Sequence, residues 1–307
     1  MRDTSEGPGP GGAPGGHRQA GDVRGTSARR GTSARDALDG AITAIGAAGC
    51  ETPRLDAELL LAHVLGVSRE RLSVDSDLVV EGPAVRAFQN AVRRRAVERE
   101  PVAYIIGLRG FRRLDLAVDR RALVPRPETE LLVEVGLTLP CGARVLDLGT
   151  GSGAVALALK DERPDLLLTG SDLSEDALAL ARANGERLGL EVGWLRADLL
   201  AGVPDEFDAI LSNPPYVAES DRAALAPEIL RHEPSQALFS GPDGLTAIRA
   251  LLAQVADRGR VAIVALEIGA GQAEEVSRLM GAAGFHSVRV ERDLAGIERV
   301  VVGERRG

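Results

Sequence analysis

The sequence predicts an α/β protein, with a mainly parallel sheet covered by helices, a closing antiparallel hairpin and a small helical domain in front. Three observations carry this prediction. From residue 143 onward, apolar runs at 143–148, 166–171, 207–211 and 260–266 alternate with helical stretches at about 153–160, 175–188, 244–256 and 271–282. Strands alternating with helices imply a parallel sheet with helices on both faces. The rhythm then changes to two strand-like runs, 285–290 and 297–302, separated by a short turn containing Asp and Gly, which reads as a hairpin. Between 34 and about 100 the apolar residues recur at helical spacing, with no strand pattern.

Taken in order, residues 1–33 are rich in Gly, Pro, Ser, Thr and Arg and nearly free of large apolar side chains. Such a segment buries too little surface to offset its ordering entropy, so a disordered tail is expected. Its repeated Gly-Thr-Ser-Ala-Arg (25–29 and 31–35) is low complexity. The helical domain is placed at 34–105. Leu38, Ile42 and Ile45 share one helix face. Leu55, Leu59 and Ala62, after Pro53, mark a second helix, and Phe88, Val92 and Arg95 a third. Weak alternation over 111–124 predicts a hairpin, placed at 106–125, joining this domain to the sheet domain at 126–307.

The 307 residues, 44% hydrophobic and 27% charged, suffice for one large and one small domain with a real core. A net charge of −8 leans against a nucleic-acid partner, because phosphate contacts dominate that binding. Cys50 and Cys141 form neither a disulfide framework nor a metal-ligand cluster, so no metal is expected. No apolar run approaches the about 18 residues of a membrane helix, and the N-terminus lacks the apolar core of a signal peptide. A cytoplasmic protein without membrane association is expected. Lys160, the only lysine, lies on a predicted helix among apolar neighbours, which disfavours lysine-based covalent chemistry.

Val145-Leu146-Asp147-Leu148-Gly149-Thr150-Gly151-Ser152-Gly153 is an apolar strand running into a glycine-rich turn and then a helix. A tight turn alone would account for the glycines, but the position, at the carboxyl end of a strand, is where open α/β sheets bind ligands. Asp172, in Ser171-Asp172-Leu173-Ser174, ends the second strand, where a carboxylate can accept from both ribose hydroxyls of a nucleoside cofactor. Dinucleotide enzymes share that logic. The spacing Gly-Thr-Gly-Ser-Gly, however, is neither Gly-x-Gly-x-x-Gly nor a P-loop. It resembles the S-adenosylmethionine motif, in which the loop holds the methionine part. Asp198 then falls where methyltransferases commonly contact the adenine amino group, with Leu199 beside it.

The fourth strand, 207–212, delivers Asn213-Pro214-Pro215-Tyr216 to the same edge. Two prolines break any ladder and fix the backbone, and Pro215 keeps Pro214 extended. The Pro214 carbonyl and the Asn213 side-chain carbonyl supply two acceptors for the two N–H bonds of an –NH2 group. An amide or exocyclic amino nitrogen is planar and a poor nucleophile. Acceptors that hold its hydrogens strengthen as the nitrogen gains positive charge, which stabilises the transition state more than the ground state. Tyr216 is expected to pack against a planar substrate group.

With these motifs the chain resembles the protein-(glutamine-N5) methyltransferases that modify peptide chain release factors, the HemK/PrmC family. Further segments carry the resemblance: Thr52-Pro53-Arg54-Leu55-Asp56-Ala57-Glu58-Leu59-Leu60-Leu61-Ala62-His63, Glu100-Pro101-Val102-Ala103-Tyr104-Ile105-Ile106-Gly107, Val124-Pro125-Arg126-Pro127-Glu128-Thr129-Glu130, Glu233-Pro234 with Ala237-Leu238, and Asp293-Leu294-Ala295-Gly296. The resemblance implies a Rossmann-like class I methyltransferase fold with seven strands and S-adenosylmethionine as cofactor. It implies that Gly149, Thr150, Gly151, Ser152, Gly153, Asp172, Asp198, Leu199 and Asn213 bind that cofactor. Asn213, Pro214, Pro215 and Tyr216 would bind the substrate glutamine, with Asn213, Pro214 and Tyr216 in catalytic roles. The implied partner is a class-1 release factor, whose glutamine lies in a Gly-Gly-Gln loop. The chain departs from the pattern at Phe111-Arg112-Arg113, where relatives tend to have Phe, an aromatic and glycine. A sister group modifies a glutamine of a ribosomal protein and carries a different pattern after Pro-Arg. DNA adenine methyltransferases share the Asn-Pro-Pro-Tyr tetrapeptide, but the acidic charge and the lack of an evident target-recognition domain argue against them.

Overall fold

A computed structural model describes residues 31–305 except residue 76, so the expected tail lies outside the described residues as far as residue 30. The first element begins inside the expected tail. Strand β1 (Thr32–Ser33) pairs antiparallel with β2 (Val79–Val80), a strand the helical pattern had not revealed. Ser33 then caps α1 (Ala34–Ala47), its hydroxyl accepting from the Asp36 N–H. Helices α2 (Pro53–Leu65), α3 (Arg69–Val74), α4 (Pro83–Ala96) and α5 (Val102–Ile106) complete the helical part. Pro53 sits at the start of α2, where its missing N–H costs nothing, and Gly66 ends that helix in the left-handed conformation.

Of the three residues that mark α2 in the sequence, Ala62 is buried. Leu55 is exposed and Leu59 half-buried, whereas Ala57, Leu60 and Leu61 are fully buried. The cause is Asp56. Its carboxylate accepts from Arg95 of α4 at 2.6 Å and from the Thr52 hydroxyl at 2.8 Å, a pair that turns this side of the helix inward. A buried ion pair holds only when its geometry and remaining hydrogen bonds are satisfied, and Arg95 also reaches Glu228 at 3.1 Å.

The connecting hairpin is β3 (Leu108–Phe111) and β4 (Leu114–Ala117), turning at Arg112, whose φ is +52°. Ion pairs from Arg112 to Glu134 and Glu162 clamp this turn onto the sheet domain. Next come α6 (Glu130–Leu137), β5 (Arg144–Leu148), α7 (Ala154–Glu162), β6 (Leu167–Asp172), α8 (Glu175–Leu188), β7 (Gly193–Arg196), β8 (Ala209–Ser212), α9 (Pro227–His232), α10 (Thr246–Ala256), β9 (Ile263–Glu267), α11 (Ala273–Ala282), β10 (Ser287–Arg292) and β11 (Glu298–Glu304). Lys160 lies near the end of α7 and its ammonium donates to the Pro164 and Leu166 carbonyls beyond the helix, a structural use.

The sheet has seven strands in the order β10-β11-β9-β8-β5-β6-β7. Strands β9, β8, β5, β6 and β7 run parallel, and β11 is antiparallel to both β9 and β10. Strands buried on both faces read as continuous apolar runs, and alternate residues here enter two cores. Val145, Leu211 and Ala265 pack with α6 and α7, while Leu146, Ile210 and Leu266 pack with α10 and α11. The strand order reverses between β5 and β8, and a crevice opens there at the carboxyl edge. Among the described residues no helix is long and apolar enough to cross a membrane.

Candidate active site

The crevice is a cavity of about 500 Å³, within the range of small-molecule sites. Gly149, Thr150, Gly151, Ser152, Asp172, Asp198, Leu199, Asn213, Pro214 and Pro215 all line it, so the structure gathers most of the residues singled out from sequence. Two expected residues do not line it. Gly153 starts α7 at φ +85°, and a Cβ there would meet Leu157 at 2.9 Å and Trp194 at 3.1 Å, so its place is in helix packing. Tyr216 turns under the site, its hydroxyl donating to Glu267 at 3.2 Å while Gln272 donates to its carbonyl at 3.0 Å. The hydroxyl and the backbone carbonyl are thus both engaged within the protein. Burial and the neighbouring Glu267 push the Tyr216 phenol well above its usual range.

The glycine loop is organised by two carboxylates. Asp147 accepts at one oxygen from the Thr150 hydroxyl (2.6 Å) and the Ala156 N–H (3.0 Å). Burial pushes Asp147 up to about 6. Asp172 accepts from the Gly151 N–H at 3.0 Å on one oxygen and the Ser174 N–H at 2.9 Å on the other. Burial raises its pKa too. The N–H groups of Gly149 and Thr150 both donate to the Ser171 carbonyl, and that of Gly153 to Thr150. Four of the loop's N–H groups are therefore committed internally and unavailable to cradle a pyrophosphate, which separates this loop from dinucleotide sites. What the crevice offers is a carboxylate with spare lone pairs, a second carboxylate at Asp198 and apolar lining from Leu173 and Leu199. That donor set fits a nucleoside carrying an amino-acid chain, as in S-adenosylmethionine.

Beside it, the Ser212 hydroxyl donates to the Leu148 carbonyl at 2.7 Å and locks the ends of β8 and β5 together. Asn213 follows immediately. Its Nδ2 donates to Thr129 Oγ1 at 3.1 Å, and the Thr129 hydroxyl donates to Glu267 at 2.6 Å. The chain leaving Tyr216 pairs through Val217 with Leu238 and Ser240, bringing Phe239 to the cavity wall. Arg126 closes the same side by reaching both oxygens of the buried Glu233 at 2.7 Å.

Sequence reasoning quoted Thr129, Arg126 and Glu233 without assigning them roles, and it passed over Glu267 and Phe239. A signal for Glu267 was present, since three strands at this edge carry a carboxylate at or near the end: Asp147, Asp172 and Glu267. A carboxylate ending a fully apolar strand needs a buried partner.

Two family models match the chain, the PrmC N-terminal domain over residues 36–107 and the methyltransferase small domain over residues 127–244. The release factor glutamine methyltransferase of Rhodospirillum rubrum is 45% identical over 264 residues, 84% of this chain and 81% of the relative. That of Cereibacter sphaeroides is 42% identical, covering 87% of this chain and 97% of the relative. That of Deinococcus radiodurans is 39% identical, covering 89% and 99%. Among solved structures the hMettl16 catalytic domain in complex with MAT2A 3'UTR hairpin 6 aligns with a TM-score of 0.51 at 15% identity, over 73% of this chain and 82% of that one, a likeness of fold alone. Identity of this extent, across both the helical part and the sheet, shows that the chain belongs to the release factor glutamine methyltransferase family.

Proposed function

We propose that this protein transfers a methyl group from S-adenosylmethionine to the side-chain amide nitrogen of a glutamine in a class-1 peptide chain release factor, within its Gly-Gly-Gln loop. The observation that carries the reading is the position of Asn213 and Pro214 on the wall of the cofactor-sized cavity, next to the loop held by Asp147 and Asp172. Family membership supports the release factor over a ribosomal protein or DNA adenine.

When bound, S-adenosylmethionine supplies a methyl group on a positively charged sulfur. Asp172 would accept from its ribose hydroxyls, Asp198 and Leu199 would hold its adenine, and Gly149, Thr150, Gly151 and Ser152 would bound its methionine end. Asn213 Oδ1 and the Pro214 carbonyl accept the two N–H bonds of the substrate amide, so the nitrogen presents its face along the transfer direction. As the nitrogen becomes positive these two acceptors bind it more tightly, and its proton departs afterwards. Pro215 fixes the backbone that aims the Pro214 carbonyl. The helical domain supports the partner's docking, and α9 ties it to the site. Glu228 receives Arg95 at 3.1 Å and Arg99 at 2.6 Å, and His232 contacts the Glu98 carbonyl at 2.8 Å.

The test is incubation with labelled cofactor and a purified class-1 release factor, followed by mapping of the product by mass spectrometry. Label is expected on the Gly-Gly-Gln glutamine. Label on another residue, or only on ribosomal protein or duplex DNA, would refute the proposal.

A further inference from the structure

Asn213 is the end of a chain of hydrogen bonds that runs into the core. Its Nδ2 donates to Thr129, Thr129 donates to Glu267 Oε2, and Tyr216 donates to Glu267 Oε1. Glu267 is 1% exposed and Thr129 5%. Among the described residues Asn213 Oδ1 takes no hydrogen bond from the protein, and Asn213 lines the cavity.

The direction of this chain follows from its innermost member. An ionised carboxylate only accepts, so the single hydroxyl proton of Thr129 goes to Glu267. Thr129 can then serve Asn213 only as an acceptor, and the Asn213 amide must turn its NH2 toward Thr129. Its carbonyl oxygen is left for the cavity. The opposite orientation would set the Asn213 oxygen against the lone pairs of Thr129.

We propose that Glu267, acting through Thr129, is a positioning residue that fixes the Asn213 amide with its oxygen toward the substrate nitrogen. This deepens the reading given above and rests on Asn213 being the group that receives the substrate amide.

The relay has a built-in sensitivity to protonation. A protonated Glu267 can donate to Thr129, whose own proton is then free for Asn213, and the wrong amide orientation becomes allowed. Around Glu267 stand Thr129 and Glu128 from the turn before α6, Tyr216 from the loop after β8, and Arg299 from β11, itself paired with Asp293 at 2.9 Å. Glu130 of α6 accepts from the Arg112 N–H at the hairpin instead. Burial, with Glu128 adding to it, pushes Glu267 up to about 7 against the two hydroxyls and Arg299. The relay therefore reverses within reach of ordinary assay conditions.

The experiment uses the full chain with Thr129→Val, Thr129→Ser, Glu267→Gln and, as reference, Asn213→Ala. Single-turnover methyl transfer to a release factor is followed from about pH 5 to about pH 9, cofactor Kd by calorimetry, and the Asn213 side-chain N–H resonances by nuclear magnetic resonance. Thr129→Val is expected to slow transfer on the order of threefold to thirtyfold, the worth of one orienting hydrogen bond. Its cofactor Kd should be unchanged, and Thr129→Ser should restore the rate. The wild-type rate should fall as pH drops through about 7, and this limb should be absent in Thr129→Val and Glu267→Gln. In the wild type, the Asn213 N–H resonances should move with the same midpoint as the Glu267 carboxyl signal. That readout needs no variant to fold. The relay is overturned if Thr129→Val transfers at the wild-type rate, if the acidic limb persists without the hydroxyl, or if the Asn213 resonances ignore Glu267. A fast Asn213→Ala would instead overturn the underlying assignment of the substrate site.

Discussion

Replacing Asp172 by Asn separates its two roles, holding the loop and binding the cofactor. The Asp172 carboxylate accepts the Gly151 N–H on one oxygen and the Ser174 N–H on the other. An amide has one acceptor, so in either orientation its NH2 faces a backbone N–H. One buried donor is left unpaired, at about 1–3 kcal/mol. The ribose hydroxyls also lose an ionised acceptor, and hydrogen bonds to charged groups are worth about 1.5–3 kcal/mol. At about 1.4 kcal/mol per factor of ten, cofactor Kd should rise on the order of tenfold to a hundredfold. Calorimetry with S-adenosylmethionine measures this, and a deoxyribose analogue completes a double-mutant cycle. The analogue should bind weakly to the wild type and lose little further affinity in the variant. Asp172 is raised by burial, so wild-type affinity should also weaken as pH falls toward its pKa, and the variant should lack that dependence. If Kd changes by less than about threefold while thermal stability drops, Asp172 only shapes the loop and the ribose assignment is wrong.

Asn213→Ala should lower kcat about a hundredfold to a thousandfold, the scale of removing one preorganised transition-state contact, with cofactor Kd nearly constant. A loss confined to affinity would contradict that. Asp56→Ala leaves Arg95 buried with only the longer contacts to Glu228 and the Glu100 carbonyl and should cost about 3 kcal/mol in denaturant unfolding; a change under about 1 kcal/mol would show that the pair is dispensable. Asp147 is pushed up to about 6 by burial, so the fold holds its proton more tightly than the unfolded chain does. Its stabilising contribution is complete below the ordinary aspartate range and is lost as pH rises through about 6. Asp147→Asn keeps both bonds, because Thr150 and Ala156 donate to the same oxygen. The melting temperature of the variant relative to wild type should therefore climb between about pH 4 and pH 7, and a gap independent of pH would refute the assignment.

The parallel strands were legible because burial on both faces leaves uninterrupted apolar runs, and the closing hairpin because its spacing breaks the strand–helix rhythm. Shorter elements were not: β2 is two residues whose partner lay in the expected tail, α3, α5 and α9 are only five or six residues each, and α6 begins in a segment that had been read only as a motif. The burial of Asp56 on α2 was not legible, because periodicity assigns charges to the surface. The site divides in the same way. Residues whose chemistry is local, such as the glycine loop and the tetrapeptide, were readable. The contact of Tyr216 with Glu267 spans 51 positions, and the Thr129 contacts span 84 and 138 positions. Long-range hydrogen bonds leave no mark on local spacing.

The charges around the cavity favour one type of reaction. The nearby cations are already matched, Arg121 by Asp119, Arg126 by Glu233 and Arg299 by Asp293. The groups facing or underlying the site that can meet a positive charge include Asp147, Asp172, Asp198, Glu267, Asn213 and the Pro214 carbonyl. Such a wall attracts a cationic donor in its ground state as well as in the transition state, and uniform attraction of that kind does not speed the chemical step. The rate gain must come from groups that meet positive charge only after it has moved to the substrate nitrogen. Asn213 and Pro214 are placed for this. The Glu267 carboxylate, reaching Asn213 through Thr129, increases the negative character of its oxygen at the place where charge appears. The same buried carboxylate thus orients the acceptor and strengthens it, and neutralising Glu267 should lower transfer without weakening the hold on the cofactor.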